Sequence, residues 1–354
     1  MSKNERKHFF SHPLCFKWSV SKNYESMVVE QAKLSSKIFR AKIPALPTRN
    51  GYGDGLVDAA QKDKNVVALC CDLTESTRTE VFAKKFPDRF IEVGVAEQNL
   101  MGVSVGLALE GKIPFAASYA VFSPGRNWDQ IRVSVCYNNA NVKIVGAHAG
   151  VSVGPDGATH QALEDIAITR VLPKMTVVVP ADYHEARKAT IAAAQHKGPV
   201  YLRFTREKSP VFTTEKSPFA IGRAQVLWKS EQAKVVIIGC GPVVYEALLA
   251  AKILSQQGVL VTVINNHTIK PLDEHTLLSE TKYAKHIVTI EEHQVFGGLF
   301  GALAEFFSVN RPIHITPLAV PDTFGESGTP DQLLDLFKLR SNEIVQRVTE
   351  FSYA

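Results

Sequence analysis

The sequence predicts an α/β protein of two consecutive domains, each a mostly parallel sheet covered by helices. Three observations predict it. From about Arg49 onward, short β-branched runs alternate with longer helical segments, the pattern of strands buried on both faces. The alternation stops once, at Ser209 to Pro218, where two prolines and several small polar residues read as a linker. Ahead of Pro44 and Pro47 there is no clean hydrophobic period. The expected organisation is an N-terminal extension over 1–47, a first domain over 48–208, a linker over 209–218 and a smaller second domain over 219–354.

Taken in order, Gly55 to Gln61 reads as helix, Val66 to Leu69 as a short buried strand, Glu92 to Val95 as another, and Glu97 to Leu109 as helix. Phe115 to Ala120 follows as strand, Trp128 to Tyr137 as amphipathic helix, Val142 to Val145 as strand and Ala162 to Ile168 as helix. Met175 to Val179 and Tyr201 to Arg206 are strands flanking a helix from Tyr183 to Ala194. Beyond the linker, Val235–Ile238, Val259–Ile264, His286–Ile290 and His314–Pro317 read as strands, separated by helices such as Tyr245 to Gln256 and Gly298 to Phe307.

Composition excludes several classes. The chain of 354 residues is 45% hydrophobic with a formal charge of +5, as in ordinary globular proteins. That charge is dispersed rather than gathered into a block, which argues against nucleic-acid binding and suits an anionic substrate. No apolar run approaches the roughly 18 residues of a membrane span. His12, Pro13 and Lys17 interrupt any signal-peptide core, so a cytoplasmic location is expected. Five cysteines without metal-ligand or disulfide-framework spacing fit a reducing compartment and no metal site.

Weak motifs have structural readings. Gly239-Cys240-Gly241-Pro242 lacks the third glycine of a dinucleotide fingerprint and reads as a strand-to-helix turn. Gly53-Asp54-Gly55 imitates a metal-diphosphate motif but precedes a helix, with no asparagine pair nearby. Cys70-Cys71 ends a buried strand and reads as packing.

Three segments carry chemistry. In Phe90 to Gly102, Glu97 stands at a strand-helix junction among apolar neighbours, where burial favours a carboxyl able to hold a proton; an acidic residue beginning a helix is the alternative reading. Gly146 to Gln161 follows a strand directly, and loops beyond the carboxyl ends of parallel strands bind ligands. It collects His148, Asp156 and His160 among glycines. Tyr201 to Arg206 leaves Arg206 on the same rim, and Arg49 offers a second guanidinium fork for a phosphate.

Together with Leu172-Pro173, Pro180-Ala181-Asp182, Thr268 to Asp273 and Glu291 to Gly298, these segments resemble the C-terminal half of transketolase over about residues 48–350. The resemblance implies a pyrimidine-binding domain followed by the transketolase C-terminal domain, as in a split, two-subunit enzyme. It implies thiamine diphosphate and Mg²⁺ as cofactors, with the metal and diphosphate ligands on an N-terminal partner subunit. It also implies a dimer of heterodimers that is active only when assembled, and transfer of a two-carbon ketol unit between sugar phosphates.

The same resemblance gives residues roles. Glu97 would bond the cofactor's aminopyrimidine at N1′ and activate it. Phe122 would stack on that ring, with Phe115 and Tyr119 beside it. His160 would act on the substrate hydroxyls and Asp156 on the C2 hydroxyl of the aldose, while His148, Arg206 and Arg49 would grip the phosphate. The turn after Phe122 is one residue longer than the family pattern, and the phosphate-side serine expected near Cys70 looks replaced. A 1-deoxyxylulose-5-phosphate synthase, a 2-oxo acid dehydrogenase β subunit and a non-catalytic scaffold subunit are the competing readings; two histidines with Arg206 favour sugar phosphates.

Overall fold

The computed structural model of the chain describes residues 27–352. Strand β1 (Ala45–Pro47) leads into helix α1 (Thr48–Lys62), and β2 (Val66–Cys70), α2 (Glu80–Lys85), β3 (Phe90–Glu92), α3 (Glu97–Leu109) and β4 (Ile113–Tyr119) follow. A short α4 (Trp128–Gln130) widens into a π-helical turn over Ile131–Tyr137. Next come β5 (Lys143–Ala147), α5 (Asp165–Arg170), β6 (Thr176–Val178), α6 (Tyr183–Gln195), β7 (Val200–Arg203) and β8 (Lys208–Pro210). The second domain runs through β9 (Gln225–Trp228), β10 (Val235–Gly239), α7 (Val244–Gln256), β11 (Val261–Asn265), β12 (Thr268–Lys270) and α8 (Glu274–Glu280). It ends with β13 (His286–Gln294), α9 (Leu299–Asn310), β14 (His314–Val320), α10 (Pro330–Leu336) and α11 (Ser341–Ser352).

Two mostly parallel sheets result, as the alternating pattern predicts. The first has the order β12-β6-β7-β5-β4-β2-β3 and the second β14-β13-β10-β11-β9. Every residue of β2, β5, β10 and β11 is buried, because helices cover both faces. On one face of the first sheet α1 and α6 pack closely. A Cβ at Gly51 would lie 2.2 Å from the Tyr183 carbonyl oxygen, and one at Gly55 2.6 Å from that of Arg187. Gly53-Asp54-Gly55 therefore serves helix packing; Asp54 accepts a hydrogen bond from Tyr183 Oη at 2.5 Å.

The structure departs from the sequence-based expectation at several elements. The strand expected to reach Val95 stops at Glu92, whose carboxylate accepts from the Asp72 and Gly94 N–H groups and from Thr74 Oγ1, bending the chain into a turn. Strand β9 was not anticipated. Strand β12 was not anticipated either; lying within the span expected for the second domain, it crosses over and pairs antiparallel with β6 of the first sheet.

Of the expected extension over 1–47, the described part packs against the rest of the chain. Its first 26 residues lie outside the described residues, but Val28 bridges Trp228, Tyr245 Oη donates to the Ile38 carbonyl at 2.7 Å, and β1 pairs with β8. Met27, Ala32 and Ile38 are buried in the second domain's core beside Trp228 and Tyr245. The expected linker is equally embedded. Asp182, the N-cap of α6, accepts from the Phe212 and Thr213 N–H groups, and Phe212 is fully buried.

Glu185 sits at this joint, accepting from Ala181 N at 2.6 Å and from Asn265 Nδ2 of β11 at 2.8 Å. Burial, reinforced by Asp182, pushes its carboxyl up to about 8. A carboxyl raised on folding holds its proton more tightly in the folded state, so its contribution is full in acid and is lost as pH rises toward 8. Glu185→Gln is therefore expected to gain stability relative to the parent between pH 5 and 8, by more than about 1 kcal/mol. Thermal melting of both proteins across that range measures it, and a pH-independent difference would count against Glu185 as the source.

Candidate active site

Because β2, β4, β5 and β7 are parallel neighbours, the loops leaving their carboxyl ends meet on one rim. Helix α1 is tied to it by Thr48 Oγ1, which accepts the Thr205 N–H at 2.7 Å and so seats Arg49 beside the segment carrying Arg206. The rim carries two groups of side chains, one aromatic and one cationic.

The aromatic group begins with Glu97, the first residue of α3 and only 4% exposed. Its surroundings are not purely apolar as the sequence suggests. Arg126 Nη1 lies 3.2 Å from both carboxylate oxygens, and the Arg126 guanidinium stacks over Phe122, 4.0 Å from the ring centroid. Phe122 stacks on Tyr119 at 5.8 Å, Tyr119 stacks on His148 at 3.8 Å, and His160 meets both aromatic rings edge-on. Phe115 is not part of this wall. It lies four residues before Tyr119 in β4, fully buried in the hydrophobic core with Tyr52, Phe82 and Phe204, so the expectation of a cofactor contact there is corrected.

The cationic group holds Arg49, Arg206, Arg78 and His148. Arg49 Nη1 donates to the Ser76 carbonyl at 2.6 Å and approaches His148 Nε2 at 3.5 Å. Burial first, then Arg206 and Arg78, lowers the Arg49 pKa, so the cluster is crowded with like charge. His148 is held at φ 58 and is nearly fully buried. Burial, followed by Arg49, Arg206 and His160, pushes it down to about 3, leaving it neutral at physiological pH. Buried polar atoms without a partner, Arg49 Nε, Arg78 Nε and His148 Nδ1, belong to these same residues. Such groups are the exception in folded proteins and suit a bound anion with hydrogen-bonding oxygens. Asp156 lies 3.0 Å from Arg206 Nη1, which places the two predicted substrate residues together.

Two residues of this cluster escaped the sequence reading. Arg78 and Ser76 lie in the polar run Thr74 to Thr79 just beyond β2, and the position of that run at a strand end was the available signal. Ser76 contributes its backbone carbonyl, which accepts from Arg49.

A buried clamp holds the loop carrying His148, Asp156 and His160. Arg203, 3% exposed, donates to Asp165 Oδ2 at 2.7 Å and Oδ1 at 3.2 Å, and to the Ala162 and Glu292 carbonyls at 3.1 and 2.8 Å. Tyr201 Oη adds a bond to Asp165 at 2.7 Å. From the second domain, Glu292 Oε2 accepts the Ser152 N–H at 3.0 Å, and Gln161 Nε2 reaches the Val151 and Glu326 carbonyls.

Residues 44–211 match the family model of the transketolase pyrimidine binding domain, and residues 222–344 match that of the transketolase C-terminal domain. The chain is 42% identical to a putative transketolase C-terminal section of Methanocaldococcus jannaschii, over 85% of this chain and 95% of that one. It is 40% identical to a 6-deoxy-6-sulfo-D-fructose transketolase subunit of a Clostridium species, over 88% and 96%. Human transketolase is 35% identical over 89% of this chain, which spans about half (52%) of that longer protein. Among solved structures, a split gene transketolase described as an inactive β4 tetramer superposes with a TM-score of 0.80 at 43% identity, covering 86% of this chain and 98% of that one.

Removing one partner of a buried ion pair leaves an uncompensated charge, at a cost of about 3–5 kcal/mol. Asp165→Ala is expected to destabilise the chain by about that much in denaturant unfolding. Asp165→Leu combined with Arg203→Met should lose less than Asp165→Ala alone; a larger loss would show that the pair itself, rather than its unpaired halves, carries the stability.

Proposed function

This chain belongs to the transketolase family, and we propose that it is one subunit of a two-chain, thiamine-diphosphate-dependent ketol transferase acting on phosphorylated sugars. One observation carries the reading: a buried carboxylate, a wall of stacked rings and a crowded cationic cluster share the carboxyl-end rim of one sheet. Relatives that this chain covers almost end to end are described as a C-terminal section and as a subunit, which supports a partner chain. We place the Mg²⁺ and diphosphate ligands on that partner and expect two copies of each chain. Among the described residues there is no cluster of three or more potential metal-ligating His, Cys, Asp or Glu side chains. No helix among them is long and apolar enough to cross a membrane.

The residues present fit the cofactor's ring. Phe122 and Tyr119 offer a flat apolar face, and Glu97 offers a carboxylate at the helix start beside it. Bound thiamine diphosphate supplies an electron sink for breaking and forming a carbon–carbon bond next to a carbonyl. Glu97 would share a proton with ring nitrogen N1′, the general acid–base task of the site. His160 and Asp156, on the loop facing the rings, would hold substrate hydroxyls. His148, neutral at working pH, can donate and accept hydrogen bonds without adding to the positive crowding around the anion. Arg49 and Arg206, with Arg78 behind them, would take the phosphate through charge-assisted bonds.

The cationic cluster would also accept a sulfonate, which presents three oxygens in similar geometry, and one relative is named for a sulfonated sugar. Sulfonated and phosphorylated ketoses are therefore both substrates to assay.

In a complex reconstituted with the partner chain, Glu97→Gln is expected to lower ketol transfer by at least about 100-fold while leaving assembly intact. Activity within a few fold of the parent would favour a scaffold role instead. Arg206→Ala should raise KM for phosphorylated acceptors by about 10- to 100-fold, with little effect on unphosphorylated ones; an equal effect on both would remove Arg206 from the anion site.

A further inference from the structure

Arg126 has no part in the chemistry above, yet it lies at its centre. Its guanidinium carbon is 4.0 Å from the Phe122 centroid, the thickness of one stacked layer. Its Nη1 donates to both oxygens of Glu97 at 3.2 Å. The side chain thus touches the two surfaces, ring face and carboxylate, that would otherwise receive an aminopyrimidine. A guanidinium imitates that ring in its N1′-protonated form: it is planar and delocalised, and it presents N–H donors to a carboxylate.

The surrounding contacts separate a fixed backbone from a movable side chain. Arg126 N donates to the Phe122 carbonyl at 2.8 Å, and Asn127 Nδ2 ties the turn to the Glu97 carbonyl at 3.0 Å and to Ser123 Oγ at 3.1 Å. Gly125 allows this tight turn, since a Cβ there would lie 2.2 Å from the Val121 carbonyl oxygen. The Arg126 side chain, by contrast, is 50% exposed. Its ion pair uses one nitrogen shared between two oxygens, not the parallel fork that makes such pairs strong. In water that contact is readily exchanged.

We propose that Arg126 is a built-in occupant of the aminopyrimidine site, stacking on Phe122 and neutralising Glu97 until a cofactor ring displaces it. The inference rests on the reading of this rim as a thiamine-diphosphate site. Its physical rationale is that a nearly buried carboxylate facing an open apolar wall is costly when unpaired. The occupant keeps Glu97 paired before loading, and the cofactor must compete with it.

Binding of thiamine, which carries the ring without the diphosphate, to the purified full chain tests this by calorimetry or ligand-observed NMR. Arg126→Ala is expected to tighten thiamine binding by about 3- to 30-fold, the combined worth of an exposed ion pair and a cation–π contact. Phe122→Ala in the Arg126→Ala background should lose the gain, and melting curves should show each variant folded. Unchanged or weaker binding by a folded Arg126→Ala chain overturns the proposal, as does the failure of every variant to bind thiamine. Ketol transfer by the reconstituted parent complex is measured separately. If transfer persists while Arg126→Ala brings no gain, the displaced occupant is wrong and the enzymatic reading stands; if transfer is absent while the gain appears, the reverse holds.

Discussion

The rest of the site depends on a charge that the fold takes out of water. Arg203 closes β7 in the interior, and Asp165 at the start of α5 answers it with both oxygens. Removing a guanidinium and a carboxylate from water is expensive, and the cost is offset only where every polar atom finds a partner. Here Arg203 Nη2 also donates to the carbonyls of Ala162 and Glu292. One belongs to the return limb of the histidine-bearing loop and the other to β13 of the second domain. A single buried cation thereby joins loop, sheet and neighbouring domain. Irregular backbone that must hold His148 and His160 in fixed places acquires the rigidity that its own sequence, rich in glycine, does not supply.

That rigidity lets opposing electrostatic demands coexist on one rim. Arg49, Arg78 and Arg206 repel one another, and a histidine among them stays neutral because burial first, and then the like charge around it, disfavour its protonation. At the other end of the ring wall, Glu97 and Arg126 face each other as a pair. The stacked series His148, Tyr119 and Phe122 runs between the two regions. The arrangement presents a cationic, anion-binding cluster at one end and a carboxylate at the other to any ligand long enough to span the wall.

Much of this was legible in the sequence because local rules decide it. Strands buried on both faces announce themselves as β-branched runs, and the helix expected over Glu97 to Leu109 is observed with those bounds. His148, Asp156, His160 and Arg206 could be placed on one rim because parallel strands align their carboxyl ends. What escaped was set by distant partners. Phe115 and Tyr119 share a strand and a face, but only depth in the core separates packing from contact with a ligand. Arg126 looked like an insertion in a turn, and nothing local shows that its side chain folds back onto a residue twenty-nine positions earlier. Residues 27–43 lack a hydrophobic period because they lie as a strap on Trp228 and Tyr245 instead of forming a regular element with one buried face.

The crossing of β12 has a further consequence. Its pairing with β6 covers an edge of the first sheet with backbone borrowed from the second domain. Edges of sheets left bare offer rows of N–H and C=O groups to any other extended chain, a common route to aggregation. The first domain is therefore covalently complete near residue 208 but not sealed there. Cut between the domains, it would expose Val177 and Val178 along an open, apolar edge, so the two halves are joined in solubility as well as in sequence.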